Sequence, residues 1–121
     1  MFRIVFLLLL LASPAMAFQA RNGAEVSGTA DQIVVISRPG LSSSESWCAA
    51  GDFVIRALGQ PATTPLYRVT PAPRRAGETV TFSLSREGAT DRTGLLLLGD
   101  RDASLSAGHA QALCRVGRWR F

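Results

Sequence analysis

The stretch "SSSESWCAAGDFVIRALG", Ser42–Gly59, decides the fold because it predicts a helix that carries a cysteine in its first turns. Ser42 and Glu45 have the spacing of a capping box, in which each side chain accepts a hydrogen bond from an exposed backbone N–H. Gly59 ends the helix, as glycine commonly does. Apolar and small residues recur at i, i+3, i+4, i+7 and i+11, which predicts packing on a core; they are Trp47, Ala50, Gly51, Val54 and Leu58.

A charged pair lies outside this apolar side of the helix. Asp52 and Arg56 are four residues apart, a spacing that favours an ion pair on one helix face. A second helix is predicted to begin at Ser104 or Ser106 and to run to about Arg115. Its packed side is predicted to contain Leu105, His109, Ala112, Leu113 and Val116.

The strands are indicated by apolar runs and by alternation. "QIVVIS" and "GLLLLG" are short apolar runs typical of buried strands, and "ETVTFSLS" alternates as a strand with one wet face. "REGATDRT" is predicted as a hairpin loop that leads from this strand into residues 95–98. Three more strands are predicted in "PLYRVT", in "VGRWRF" and in a segment within residues 18–28. The prediction is an α+β domain with a mostly antiparallel sheet of five or six strands and two helices on one side.

The chain has two cysteines, Cys48 and Cys114, one in each predicted helix. An exported chain with an even cysteine count usually oxidises them. A disulfide needs Cα atoms closer than packed helix axes normally lie, and small residues beside both cysteines would permit that approach. We therefore predict a Cys48–Cys114 disulfide that joins the helices. A redox-active or metal-binding pair is the alternative, but the chain lacks a Cys-x-x-Cys spacing.

The first 17 residues have the layout of a secretory signal peptide. Arg3 precedes an apolar run, and Ala15-Met16-Ala17 forms a small-x-small cleavage site. The run is shorter than the roughly 20 residues that a spanning helix needs. We therefore expect cleavage after Ala17, a single domain over residues 18–121, no transmembrane segment in the mature chain, and a periplasmic or secreted location.

The charge of the expected mature chain is modestly positive. Residues 18–121 contain 12 arginines, 9 acidic residues and no lysine, a net charge of +3. Basic and acidic residues are interspersed, which is typical of an ordinary solvated surface. No nucleic-acid partner is expected, while an envelope protein or an anionic envelope component remains a candidate partner.

Sites for catalysis and for metals are sparse in the sequence. His109 is the only histidine, so a hydrolase would depend on it, and "GLSSSES" is better explained as a helix cap than as a nucleophile turn. "DRDAS" begins like a calcium loop, but Leu105 and Gln111 stand where such a loop requires glycine and glutamate. We predict no catalytic residue, no metal site and no cofactor.

Two arginine groups are candidates for binding an anion. The C-terminal segment places Arg115, Arg118 and Arg120 around Trp119, and arginine beside tryptophan can bind anionic lipid, glycan or nucleic acid. The alternative is a strand with a buried tryptophan face and a wet arginine face. A loop that carries Arg74 and Arg75 is the second candidate.

The "WCAAGD" stretch, residues 47–52, together with "LC" in the last predicted helix, resembles a group of small exported proteobacterial proteins of uncharacterised function. The resemblance implies an architectural motif and no particular activity. The sequence therefore predicts a small periplasmic protein that acts by binding or as a structural component. The alternatives are an envelope-surface binder of an anionic ligand and, less favoured by the residues, a hydrolase that uses His109.

Overall fold

The computed structural model describes residues 18–36, 40–71, 75, 78–95 and 104–115. Six strands in these residues form one antiparallel sheet with the order β1-β2-β3-β5-β4-β6, accompanied by two helices. The predicted α+β class and the antiparallel sheet are confirmed. The elements are β1 (Phe18–Gln19), β2 (Glu25–Thr29), β3 (Gln32–Val35), α1 (Ser43–Asp52), β4 (Pro65–Arg68), β5 (Val80–Ser83), β6 (Ser104–Ser106) and α2 (Ala107–Ala112).

The first predicted helix is confirmed. The Ser42 hydroxyl accepts a hydrogen bond from the Glu45 backbone N–H at 3.2 Å, and every residue from Ser46 to Asp52 is buried. Helix α1 continues as a π-helical turn, Phe53–Ala57, and Gly59 follows with a left-handed φ of 66°. The ring of Trp47 packs edge-on against Phe82 of β5 with centroids 4.8 Å apart. The apolar side of α1 thus joins the sheet to form the core.

The second predicted helix is shorter than expected. Ser106 caps α2 by accepting a hydrogen bond from the His109 backbone N–H at 3.2 Å, and a 3₁₀ turn over residues 113–115 follows the helix. Leu105 is buried from strand β6 and not from the helix. The buried helical positions are Ala107 and Ala110, and Leu113 packs partly buried against the core as predicted. Ala112 is exposed, so its place on the predicted packed side was wrong, and Val116 lies outside the described residues. Alanine contributes little to an apolar pattern, so the sequence did not indicate that Ala107 and Ala110 are the buried positions.

The predicted hairpin after β5 does not form. Strand β5 pairs with β3 on one side, where Phe82 is opposite Ile33, and with β4 on the other, where Tyr67 is opposite Ser83. Both of its edges are therefore occupied, and Leu95 lies in a bend. The other residues of the predicted strand, 96–98, lie outside the described residues, as does the predicted C-terminal strand. Strand β6 instead extends the sheet by pairing with β4.

The two helices approach each other closely at two points. The Cys48–Cys114 disulfide has an S–S distance of 2.05 Å and a Cα–Cα distance of 4.9 Å, which confirms the predicted pairing. At Gly51 an added Cβ atom would lie 2.7 Å from the Ala110 Cβ and 2.8 Å from the Ala107 carbonyl oxygen. The small residues are therefore what permits the bridge. Closing a loop with a sequence separation of 66 contributes about 4 kcal/mol in the chain-entropy treatment.

The close contact at Gly51 predicts an unusual sign for a helical substitution. In an open helix, Gly→Ala stabilises by up to about 1 kcal/mol. Gly51→Ala should instead lower the free energy of unfolding by about 1–3 kcal/mol, because the new methyl group overpacks the contact with α2. Urea unfolding of the oxidised protein measures the change. A stabilising effect would contradict the close approach, and Ala57→Gly, at an exposed position, measures the propensity effect alone.

Candidate functional site

A buried carboxylate, Asp52 at the end of α1, organises the region around the helix contact. Its side chain is 0% exposed. Oδ2 accepts hydrogen bonds from the Arg21 backbone N–H at 3.0 Å and from Arg56 Nη1 at 2.7 Å, and Oδ1 accepts one from Gln111 Nε2 at 3.0 Å. The predicted Asp52–Arg56 pair is confirmed, but the carboxylate is inside the protein and not on its surface. A buried charge requires such compensation.

Arg56 is held in place on its other side by an aromatic ring. Its guanidinium carbon lies 5.2 Å from the centre of the Phe18 ring, which in turn packs edge-on against Phe53 at 5.6 Å. A cation over a ring face is attracted by the electrons of the ring. Arg56 is therefore engaged by both Asp52 and Phe18, and it joins strand β1 to the π-helical turn.

Arg21 contacts the same carboxylate but uses only part of its guanidinium. Arg21 Nε lies 3.5 Å from Asp52 Oδ1, and the Arg21 side chain is 57% exposed. Within the residues that the structure describes, neither of its terminal Nη groups makes a hydrogen bond. The four N–H donors of these groups are thus available to a ligand, while Nε and the backbone N–H position the residue.

Arg21 and Gln111 border a cleft of about 360 Å³ between the turn that follows β1 and the end of α2. Arg115, which is exposed, also lines the cleft, and no described residue forms an ion pair with it. We call this feature the Arg21–Arg115 cleft. The cleft is lined by two arginines, one glutamine, one cysteine of the disulfide and two small residues. They are Arg21, Arg115, Gln111, Cys114, Gly108 and Ala112.

The arginines singled out in the sequence are only partly described. Arg75 is exposed, and its backbone N–H donates to Glu78 Oε2 at 2.9 Å, which closes a local turn. Arg74, Arg118, Trp119 and Arg120 lie outside the described residues, so a binding surface formed by them stays a prediction. Arg115 belonged to the same predicted patch, and the structure brings it to the cleft with Arg21.

His109 does not occupy the predicted packed side of α2. The residue is exposed, and its imidazole makes no hydrogen bond within the described part of the chain. No group of three potential metal-ligating side chains occurs among residues 18–36, 40–71, 75, 78–95 and 104–115. Of the predicted calcium-like segment, Ser104 lies in β6, and Asp100 and Asp102 lie outside the described ranges.

A second buried polar cluster has a structural role. Arg68 of β4 is almost fully buried and donates from Nε to the Thr70 carbonyl at 2.7 Å and from Nη1 to the Thr93 carbonyl at 3.0 Å. Trp47 Nε1 donates to the same Thr93 carbonyl at 2.8 Å. These bonds attach the loop after β5 to the core, which explains why the polar groups are buried there.

Sequence patterns did not indicate the Arg21–Arg115 cleft. Arg21 follows β1, whereas Gln111 and Arg115 lie about 90 positions later in α2 and the following 3₁₀ turn. Only the tertiary contact between these segments brings the three side chains together. The single local signal was the Asp52–Arg56 spacing, which identified the central carboxylate without its other partners.

No protein-family model, curated protein or solved structure matches the chain. The resemblance to small exported proteobacterial proteins therefore stays a prediction. In the described segments, no helix has the length and apolar character required to cross a bilayer.

The contacts of Asp52 predict that its charge stabilises the fold. Asp52→Asn should lower the free energy of unfolding by about 1–3 kcal/mol, because the amide places N–H donors among the donors of Arg21, Arg56 and Gln111. The loss of stability stays in this range because the side chains of Arg21 and Arg56 are about half exposed. Water can therefore solvate their charges when the carboxylate is removed. Urea unfolding at neutral pH measures it.

The matched control for this change is Asp31→Asn. Asp31 is exposed at the turn between β2 and β3, so the same loss of charge should alter stability by less than about 0.5 kcal/mol. Equal effects of the two substitutions would show that the buried cluster contributes nothing of its own.

Proposed function

We propose that this chain is a small exported protein whose domain, residues 18–121, acts by binding without catalysis, and that it holds an anionic ligand in the Arg21–Arg115 cleft. The observation that supports this most strongly is the pair of guanidinium groups whose terminal donors have no partner in the described part of the chain. Planar guanidinium groups match the oxygen pairs of carboxylates and phosphates.

The charge around the cleft favours an anion. Arg21, Arg56 and Arg115 outnumber the one carboxylate among them, Asp52, which is itself buried behind the cleft. Since Asp52 already interacts with Arg21 and Arg56, it does not face a ligand directly. An anion that enters the cleft is thus attracted by the arginines and does not approach an exposed carboxylate.

The positions of the binding groups are prepared before a ligand arrives. Arg21 is fixed through its backbone N–H and Nε by Asp52. Gln111 is fixed by Asp52 as well, and Cys114 ties the segment that carries Arg115 to α1. A site that is already ordered loses less conformational entropy on binding.

The proposal of export rests on two features. One is the layout of residues 1–17, which is typical of a signal peptide. The other is the closed disulfide, which persists in oxidising compartments such as the periplasm. In the periplasm, the ligand could be an anionic envelope component, and the arginines at positions 74, 75, 118 and 120 could extend the contact to a larger surface.

Export and oxidation make one joint prediction about the mature product. The full chain produced in a Gram-negative host should be recovered from the periplasmic fraction with a mass that begins at Phe18 and lacks the two thiol hydrogens. Intact-mass spectrometry before and after reduction measures both properties. A product that retains residues 1–17, or one with two free thiols, would contradict the proposed export or oxidation respectively.

The cleft makes a prediction about binding of inorganic phosphate, a simple anionic probe. Titration with phosphate at low ionic strength, followed by amide chemical shifts in the oxidised protein, should show saturable changes at Gly108 and Gln111. Arg21→Gln and Arg115→Gln should each weaken binding by about tenfold or more, because each removes a charge-assisted hydrogen-bond donor. Added salt should weaken binding of the unsubstituted protein.

The control for these variants is Arg92→Gln, since Arg92 is exposed and does not line the cleft. It removes the same charge and should leave phosphate affinity within about twofold. If Arg92→Gln weakens binding as much as Arg21→Gln, the attraction is general and the proposed site is wrong. If neither Arg21→Gln nor Arg115→Gln weakens binding, the cleft is not the site.

A further inference from the structure

We propose that the ligand of the Arg21–Arg115 cleft is a hydroxylated carboxylate of monosaccharide size, that is, a sugar acid. This inference rests on the proposed function and adds the chemistry that the ligand must have besides its negative charge. It depends on Gln111, which stands in the cleft together with the two arginines.

The orientation of the Gln111 amide follows from its partner. Asp52 Oδ1 lies 3.0 Å from the amide nitrogen, and a carboxylate oxygen can only accept at this position. The amide must therefore direct Nε2 to Asp52, which leaves its carbonyl oxygen, Oε1, as the polar atom for other contacts. A ligand thus meets an acceptor at Gln111 and not a donor.

The exposure of Oε1 follows from the hydrogen-bond inventory of the described residues. Every buried side-chain nitrogen or oxygen there has a hydrogen-bond partner. Gln111 is half-buried and its Oε1 has no partner in these residues, so this oxygen is accessible to solvent. We assign this oxygen to the wall of the cleft because Gln111 is one of the lining residues.

The side chains of the cleft therefore offer cationic donors and, at Gln111, a neutral acceptor. A carboxylate can bind the terminal N–H groups of Arg21 and Arg115, but it cannot satisfy Gln111 Oε1, since both groups are acceptors. A hydroxyl on the same molecule can donate to Oε1. A site built to bind a hydroxyl discriminates against an analogue that lacks it, because the polar atom of the site is then left without a partner.

The size and lining of the cleft limit the ligand further. A volume of about 360 Å³ is at the lower end of the range for small-molecule sites. Gly108 and Ala112 present little side chain, which leaves space for one ring against the end of α2. A single sugar ring carries a carboxylate, several hydroxyls and an apolar face, so it fits these requirements. It could be a free monosaccharide or one unit of an acidic polysaccharide.

Isothermal titration of the oxidised mature protein with three matched compounds tests the inference. D-glucuronate carries both the carboxylate and the hydroxyls, cyclohexanecarboxylate carries only the carboxylate, and D-glucose carries only the hydroxyls. We expect glucuronate to bind about tenfold or more tightly than either of the others. A trimer of galacturonate adds a fourth arm: tighter binding of the trimer than of D-galacturonate favours a polysaccharide source, and weaker binding favours a free acid.

The outcomes separate this inference from the proposed function. If cyclohexanecarboxylate binds as tightly as glucuronate and Arg21→Gln weakens both, the cleft binds anions but the requirement for a hydroxyl is wrong. If glucose binds as tightly as glucuronate, the proposed anion site itself is wrong. If glucuronate does not bind while phosphate does, the sugar acid is excluded and the anion site stands.

Two variants test the role of the cleft directly. Gln111→Met keeps the length of the side chain but removes Oε1 together with the Nε2 donor to Asp52, so it should weaken glucuronate binding by a larger factor than cyclohexanecarboxylate binding. Because Gln111 also binds Asp52, retained phosphate binding shows that the variant is folded. Ala112→Leu, at an exposed position that lines the cleft, provides an independent test, since the larger side chain should weaken glucuronate binding by a larger factor than binding of the smaller phosphate. Unchanged glucuronate affinity in both variants would overturn the inference.

Discussion

Burial of the Asp52 carboxylate is the constraint on which the arrangement of the cleft depends. A charge with no exposure must be compensated locally, and its partners come from three separate segments of the chain. Arg21 belongs to the turn after β1, Arg56 to the π-helical turn and Gln111 to α2. One carboxylate therefore determines how the sheet edge and both helical segments meet. It does not bind the terminal N–H donors of Arg21, which remain without a partner among the described residues.

The contact between α1 and α2 is the second feature on which the geometry of the cleft depends. Helix α2 has only six residues, and an isolated helix of this length is not stable in water. It persists because the Cys48–Cys114 bond and the close approach at Gly51 attach it to α1, which is itself buried. The cleft lies at the open end of this contact. Its geometry is therefore a property of the tertiary structure and not of any one element.

Much of the fold could be predicted from the sequence, because the signals for it come from residues that are close together in the chain. Helix α1 has a cap, a periodic apolar side and a glycine stop, and strand β5 places Val80 and Phe82 in the core as its alternation predicts. The disulfide followed from the cysteine count and the small neighbouring residues. Each of these signals is carried by residues that are close in the chain, where spacing reports directly on geometry.

The features that the sequence did not predict depend on contacts between residues that are far apart in the chain. Of the two predicted helix starts, Ser106 is confirmed and Ser104 is not, because residues from Ser104 pair with β4 as strand β6, and no local spacing reports that pairing. His109 was placed on a packed side that belongs to Ala107 and Ala110, because alanine contributes little to an apolar pattern. The full set of partners of Asp52 depends on contacts between distant segments, and no spacing rule reports these.

The disulfide in the wall of the cleft makes the order of the cleft depend on the redox conditions around the protein. A nascent chain in the reducing cytosol keeps Cys48 and Cys114 as thiols. The short segment that carries Gln111 and Arg115 then lacks its covalent attachment and is held to α1 only by noncovalent contacts, among them the Gln111–Asp52 hydrogen bond. Under the proposed function, the anion site would thus be fully ordered only after oxidation has formed the Cys48–Cys114 bond.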